Sequence, residues 1–185
     1  MARPALLIID MINDFVTGKL ALSAASKIVP TIARLRESFR RHGLPVIHIT
    51  DSHVKGVDRE LMLWGDHALR GTEGADVIDP LKPRDEEFRV YKRRYSGFFG
   101  TDLDLLLREL GVSTLVLTGV ATDICVQHTA ADAFFRGYDL VVVSDATATT
   151  DEESHKRALA YMERVYGAKV LSADEVTQRL ERGEL

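Results

Sequence analysis

The sequence predicts an α/β fold in three layers: a mostly parallel β-sheet with helices packed on both faces. Three observations predict it. Short apolar, β-rich runs alternate with helical stretches in the order β-α-β-loop-β-α-β-α-β-α-β, the pattern of parallel strands joined by crossover helices. The chain of 185 residues is long enough for one sizeable core and has no internal repeat, low-complexity tract or linker, so residues 1–185 read as a single domain. Its 45% hydrophobic and 28% charged residues suit a soluble globular protein, and a net charge of -4 argues against nucleic acid or an anionic membrane as partner.

The elements follow in order. Ala5 to Ile9 is an apolar run between Pro4 and Asp10, expected to be a central strand buried on both faces. Asp10 then falls at its C-terminal end, where open α/β sheets hold their ligands. Met11 to Ala25 reads as a loop. Lys27 to His42 is an amphipathic helix, with Ile28, Ile32, Leu35 and Phe39 at helical spacing and Gly43 as the stop. Leu44 to Thr50 is the second strand, ending at Asp51. Ser52 to Glu86 is a long, charged, weakly periodic insert, and a connection of that length inside a compact domain is usually functional. Phe88 to Tyr91 is the third strand, followed by Lys92. A helix capped by Thr101 or Asp102 runs to Leu110, Thr114 to Thr118 is the fourth strand, and Leu140 to Val143 the fifth. Asp151 to Tyr166 is a helix stopped by Gly167. Ala168 to Leu171 is a last short strand, and a terminal helix begins at Ser172.

The chemistry centres on Leu115 to Ala133, LVLTGVATDICVQHTAADA. A strand, a Gly119-Val120-Ala121 turn and a helix capped by Thr122 or Asp123 place Cys125 in the first helical turn. Unpaired N–H groups and the positive end of the helix dipole favour a thiolate there. The arrangement is that of a nucleophile elbow with cysteine in place of serine. Asp10, Lys92 and Cys125 all follow strands; if those strands are neighbours, a carboxylate, an ammonium and a thiol meet at one sheet edge, a set suited to acyl transfer. Asp51, His53 and His67 form a second candidate set. Two imidazoles and a carboxylate suit a divalent metal, Zn²⁺ first, with Fe²⁺ or Mn²⁺ as alternatives.

Other polar residues have plainer expectations. His128, one turn after Cys125, offers a rival Cys–His dyad. His48, mid-strand, reads as a core histidine, and His42 and His155 as surface helix residues. Arg93 and Arg94 read as solvated. Tyr95, Phe98 and Phe99 are candidates for a pocket wall or a subunit contact. One cysteine excludes an intrachain disulfide, and with no signal-peptide layout or membrane-length apolar run the expected location is the cytoplasm.

The pieces LLIIDMINDF, HITDSH, WGDHALRGTEGA, YKRRYSGFFGTDLDLLLRELG and LTGVATDICVQHTAADAFFRGYDLVVVSDA carry a resemblance spanning about Ala5 to Ala146. The chain resembles the isochorismatase-like cysteine hydrolases, and among them the nicotinamidases. The resemblance implies a six-stranded parallel sheet and an Asp10–Lys92–Cys125 triad working through a thioester acyl-enzyme. It also implies an oxyanion hole from the N–H groups of Ala121 and Cys125, beside a cis Val120–Ala121 bond. A metal on Asp51, His53 and His67, aromatic walls from Phe15 and Trp64, a small-molecule amide substrate and a homo-oligomer, dimer or larger, are implied as well; Val120, Ala121 and Tyr95 join the substrate wall. Two departures leave the substrate open. VKGVDRELML lacks a histidine that some nicotinamidases carry, and YSGF follows Lys92 after two residues, as in members acting on other amides. Nicotinamide is therefore one expected substrate, another small amide, ureido or carbamoyl compound the alternative, and a non-catalytic binding or scaffold role a third reading.

Overall fold

The computed structural model describes residues 3–185. Six strands form one sheet in the order β3-β2-β1-β4-β5-β6, and every pairing is parallel. β1 (Pro4–Ile9) is central and wholly buried, because PALLII offers apolar side chains to both faces. β2 (Val46–Asp51) and β4 (Thr114–Val120) flank it, so the direction of strand addition reverses on either side of β1. The crevice at the C-terminal ends of β1 and β4 is the topological switch point, where such sheets bind ligands.

Strand alternation divides the core. Leu6 and Ile8 of β1 join a cluster with Ile28, Ile32, Leu35 and Phe39 of helix α2 (Ala25–Arg41). Between them, in chain order, a short helix α1 (Asn13–Val16) leaves β1. Ala5, Leu7 and Ile9 face the other way, onto Leu107, Ala130, Ala133 and Met162. Full burial of a side chain such as Phe39 stabilises by about 2–3 kcal/mol, so the α2 stripe read from the sequence is what holds that layer.

The remaining elements follow the expected order with three differences. The insert after β2 carries a short helix α3 (Glu60–Trp64) and two 3₁₀ turns before β3 (Phe88–Lys92). It is tied back to the start of the chain: the buried Asp14 carboxylate accepts from Ala68 N at 2.8 Å, and Gly74 sits so close that a Cβ would lie 2.3 Å from Asp14 Oδ2. Helix α4 (Leu103–Glu109) leads into β4. The turn after β4 is the second difference. It is π-helical over Thr122–Val126 before α5 (Gln127–Phe135), with Ala121 at its N-cap and no side-chain cap. Thr122 and Asp123 are not caps: Thr122 donates its hydroxyl to His155 Nδ1, and Asp123 accepts from Thr149. His155 accordingly bridges inward, giving its Nε2–H to Ser144 O, rather than lying free on a helix surface.

Third, β5 (Asp139–Ala148) runs past the expected end at Val143, because a register shift opposite Leu117 and Gly119 lets Thr147 and Ala148 pair with β4. Helix α6 (Glu152–Tyr166) has Asp151 as its side-chain N-cap and Gly167 in the left-handed region as its stop; β6 (Lys169–Leu171) and α7 (Ala173–Arg182), opened by a Ser172–Glu175 capping box, close the chain. Gly119 fixes the crevice. At φ +104°, a Cβ on it would lie 2.0 Å from Ile9 O, so no other residue lets β4 approach β1 there.

Candidate active site

Four strand ends build the site. Asp10 follows β1 at φ +53°, Asp51 ends β2, Lys92 ends β3 opposite Asp51, and Cys125 lies in the turn after β4. The structure brings Asp10, Lys92 and Cys125 together. Lys92 is fully buried, its Nζ 2.8 Å from Asp10 Oδ2, 2.6 Å from Asp51 Oδ1 and 3.5 Å from Cys125 Sγ. Asp51 N donates to Asp10 Oδ1 at 2.8 Å, which fixes the second carboxylate oxygen. The peptide bond Val120–Ala121 is cis.

Burial sets the proton balance. It raises Asp10 to about 6, helped by repulsion from Asp51 and opposed by Lys92. Burial works against the Lys92 ammonium too, but Asp10 and Asp51 outweigh it and hold the group protonated. The Cys125 thiol is pushed well up by burial and by the two carboxylates, against the pull of Lys92. The helix start does not by itself make a thiolate here, as the sequence suggests it would. Burial instead favours the thiol form, with the Asp10 carboxylate beside it.

Asp51, His53 and His67 also converge, each offering a ligand atom within 4.8 Å of the others. Their hydrogen bonds suit a metal. His53 Nδ1 lies 3.3 Å from Asp58 Oδ2 and His67 Nδ1 gives its proton to Gly65 O at 2.7 Å, so both rings turn their other nitrogen inward. Buried His53 Nε2 has no hydrogen-bond partner among the described residues, nor has Glu60 Oε1 beside it. Burial and Asp51 push Glu60 up to about 7, the response of a carboxylate short of positive charge. An orphaned imidazole nitrogen among carboxylates fits a divalent cation.

Asp58 and Glu60 were not legible as site residues, although two acids following a Ser-His pair in one insert were a signal. Arg93 is exposed, as expected, and is paired to Asp58 as well. The guanidinium grips it, Nε at 2.8 and 3.1 Å from its two oxygens, and holds the carboxyl well below its usual range. His128 is exposed and its Nδ1 bonds to Ile124 O, so no Cys–His dyad forms. Phe98 is buried against Tyr138, and Phe99 is exposed; neither lines the pocket.

A cavity of about 440 Å³ opens over Cys125. Val120, Ala121, Cys125 and Ile124 line it, with Phe15, Trp64 and Tyr95 as aromatic walls. Trp64 Nε1 donates to Tyr95 OH at 3.0 Å, and the Phe15 ring stands 5.7 Å from that of His67. Asp51, Glu60, His67 and Asp123 line it too, as do Leu20, Ala21, Leu22, Thr149 and Thr150, residues the sequence alone did not single out.

A parallel α/β sheet with a buried thiol, ammonium and carboxylate at its switch point suits a hydrolase working through a cysteine, and its relatives make the class that of hydrolases of non-peptide C–N bonds. The family model described as isochorismatase domain matches residues 4–175, and the chain belongs to that family. It is similar to the N-carbamoylsarcosine amidase of Thermoplasma acidophilum, at 45% identity and TM-score 0.87 over 93% of this chain and 97% of that one. It is similar to nicotinamidase PncA of Bacillus subtilis, at 37% identity and TM-score 0.87 over 92% and 99%. The pyrazinamidase of Pyrococcus horikoshii, in complex with zinc, matches at 29% identity and TM-score 0.85 over 92% and 99%.

Proposed function

We propose that this amidohydrolase cleaves nicotinamide to nicotinate and ammonia through a thioester on Cys125. The observation that carries the reading is the Asp10–Lys92–Cys125 contact set, opening into an aromatic-walled pocket beside the Asp51, His53 and His67 donors. Cys125 Sγ attacks the amide carbon and its proton passes to Asp10, one of whose oxygens lies within 4.8 Å. The developing oxyanion rests on the N–H groups of Ala121 and Cys125. Asp10 returns the proton to the departing ammonia, then takes one from the water that attacks the thioester and passes it to the Cys125 sulfur as the C–S bond breaks. A pKa near 6 suits a group that must both accept and give a proton near neutrality. Lys92 keeps Asp10 in place and offsets the negative charge of the attacking sulfur.

Asp51, His53 and His67 would hold a divalent metal, zinc first, with Glu60 at its edge. When bound it supplies a Lewis-acidic anchor for the pyridine nitrogen or an ordered water beside it. Phe15 and Trp64 flank the ring, whose two faces suit aromatic neighbours. No helix among the described residues is long and apolar enough to cross a membrane. We place the enzyme in the cytoplasm, as a homo-oligomer. The exposed aromatic residues Phe134, Phe135 and Tyr161 offer a face for such a contact.

The likeness to an N-carbamoylsarcosine amidase favours a second reading, hydrolysis of a carbamoyl or ureido compound. Ammonia release across a panel of amides tests both, with Cys125→Ala as control. Nicotinamide is expected among the best substrates. Binding of nicotinamide with no turnover of any amide would overturn the catalytic reading in favour of a binding role.

A further inference from the structure

The pocket's charge is one-sided. Asp51, Glu60 and Asp123 line it, and among the described residues no lysine or arginine does. The nearby cations are committed elsewhere. Lys92 is fully buried between Asp10 and Asp51, Arg93 grips Asp58, and Arg94 turns back to the Arg93 carbonyl. Asp51 is one of the metal donors and Glu60 lies at their edge, where a dication would balance both. Asp123 is not part of that set. It stands two residues before Cys125, half-buried, on the wall of the substrate cavity. Its Oδ1 accepts the Thr149 hydroxyl at 2.5 Å, and among the described residues it makes no ion pair.

We propose that Asp123 is a specificity-determining residue that turns the pocket against amides carrying a carboxylate and toward uncharged ones. The inference rests on the amidohydrolase reading and narrows its substrate class. A fixed carboxylate on the wall of a partly desolvated cavity repels a like charge with little screening, and such repulsion separates substrates of similar shape. It separates the two readings above: nicotinamide is neutral, whereas N-carbamoylsarcosine carries a carboxylate.

The test uses the whole protein and two compounds of nearly equal shape, pyridine-3,5-dicarboxamide and 5-carbamoylpyridine-3-carboxylate. The readout is the ratio of their kcat/KM values, or of their inhibition constants against nicotinamide where one is not turned over. The native enzyme should favour the neutral compound by roughly tenfold or more, and less so in high salt. Asp123→Asn keeps an acceptor for Thr149 but loses the charge, and should cut the ratio at least about fivefold; Asp123→Glu keeps the charge and should hold it within about twofold. Should Asp123→Asn not fold, Asp123→Ser carries the same expectation. A ratio unmoved by loss of the charge would overturn the proposal while leaving the amidohydrolase reading intact, and so would an equal shift in Asp123→Glu. Absence of turnover of any amide by the native enzyme would overturn that reading itself, and the proposal with it.

Discussion

β2 feeds two buried ionic networks made from the same residue types, one on each face of the sheet. On the α2 side, Arg36 clasps Glu87 with Nε and Nη2, both at 2.6 Å, gives a further bond to Lys82 O, and His48 Nε2 meets Glu87 at 3.0 Å. On the other side, Lys92 lies between Asp10 and Asp51, with His53 and Glu60 beyond. Both contain a cation, at least one carboxylate and a histidine at nearly zero exposure. Two carboxylates of the second network nevertheless move opposite to Glu87, whereas Asp51 moves with it: burial tends to raise Asp51, but Lys92 and His53 outweigh that and hold it low. Burial tends to raise Glu87, but His48 and Arg36 outweigh it and the group ends below its ordinary value. Asp10 ends at about 6 and Glu60 at about 7. A saturated carboxylate stabilises the fold, while one left short of hydrogen bonds and charge is poised to take a proton or a metal.

That contrast can be broken by mutation. The largest expected effect is on the catalytic side. Cys125→Ala should lower ammonia release by about 10⁴-fold or more, and Asp10→Asn by about 10³-fold, since the proposed nucleophile and proton acceptor would act as one unit. Neither should shift the melting temperature by more than a few degrees. Glu87→Gln should do the reverse. It leaves the Arg36 guanidinium buried without its counter-charge, at a cost of about 3 kcal/mol, or about 6–12 °C in melting temperature for a domain of this size. Its kcat/KM per folded molecule should stay within about twofold, because Glu87 touches nothing in the catalytic cavity. Thermal melts run beside ammonia assays check both arms. A stable, inactive Glu87→Gln protein would sink the division.

A smaller effect lies at the metal donors. Asp58 reaches no substrate but accepts from Val54 N and lies against His53 Nδ1. Asp58→Asn should weaken zinc binding about 10- to 100-fold, as loss of an orienting partner does elsewhere. Titration of metal-stripped protein with zinc reads this directly. Unchanged affinity would mean that His53 is oriented by its backbone position alone.

The comparison also explains what could be read in the chain. Strand ends were legible because apolar runs such as ALLII stop abruptly at a charge, so Asp10, Asp51 and Lys92 were marked by position. His48 was legible as core because it interrupts an apolar strand. The partners of these residues were not. Arg36 meets Glu87, and Asp58 meets Arg93, across 51 and 35 residues respectively, and no local pattern encodes such pairings. Capping was misjudged for a related reason. Thr122 and Asp123 have the right chemistry at a helix start, but Thr149, just after β5, and His155 of α6 are stronger partners once the chain is folded.

The subtlest expectation concerns pH on the structural side alone. Burial lowers the His48 pKa below its ordinary 6.5, against the pull of Glu87 and with the push of Arg36 and Arg89, the charged groups that face it from α2 and β3. The unfolded chain therefore binds a proton near pH 6.5 that the folded chain refuses. Stability from this group is present above pH 6.5 and is lost as pH falls toward the lowered folded value, at no more than about 1.4 kcal/mol per pH unit. Glu87 extends the loss further into acid, its depressed pKa giving stability that is present above 4.5 and lost as pH falls through the folded value. His48→Gln can keep a hydrogen bond to Glu87 but does not titrate. The melting temperature of the native protein minus that of the variant should then shrink steadily from pH 7 to pH 5.5. His42 and His155 are common to both proteins and cancel in the difference. A difference independent of pH would mean that His48 is accommodated equally well with its proton, and that the two networks are less unlike than their geometry indicates.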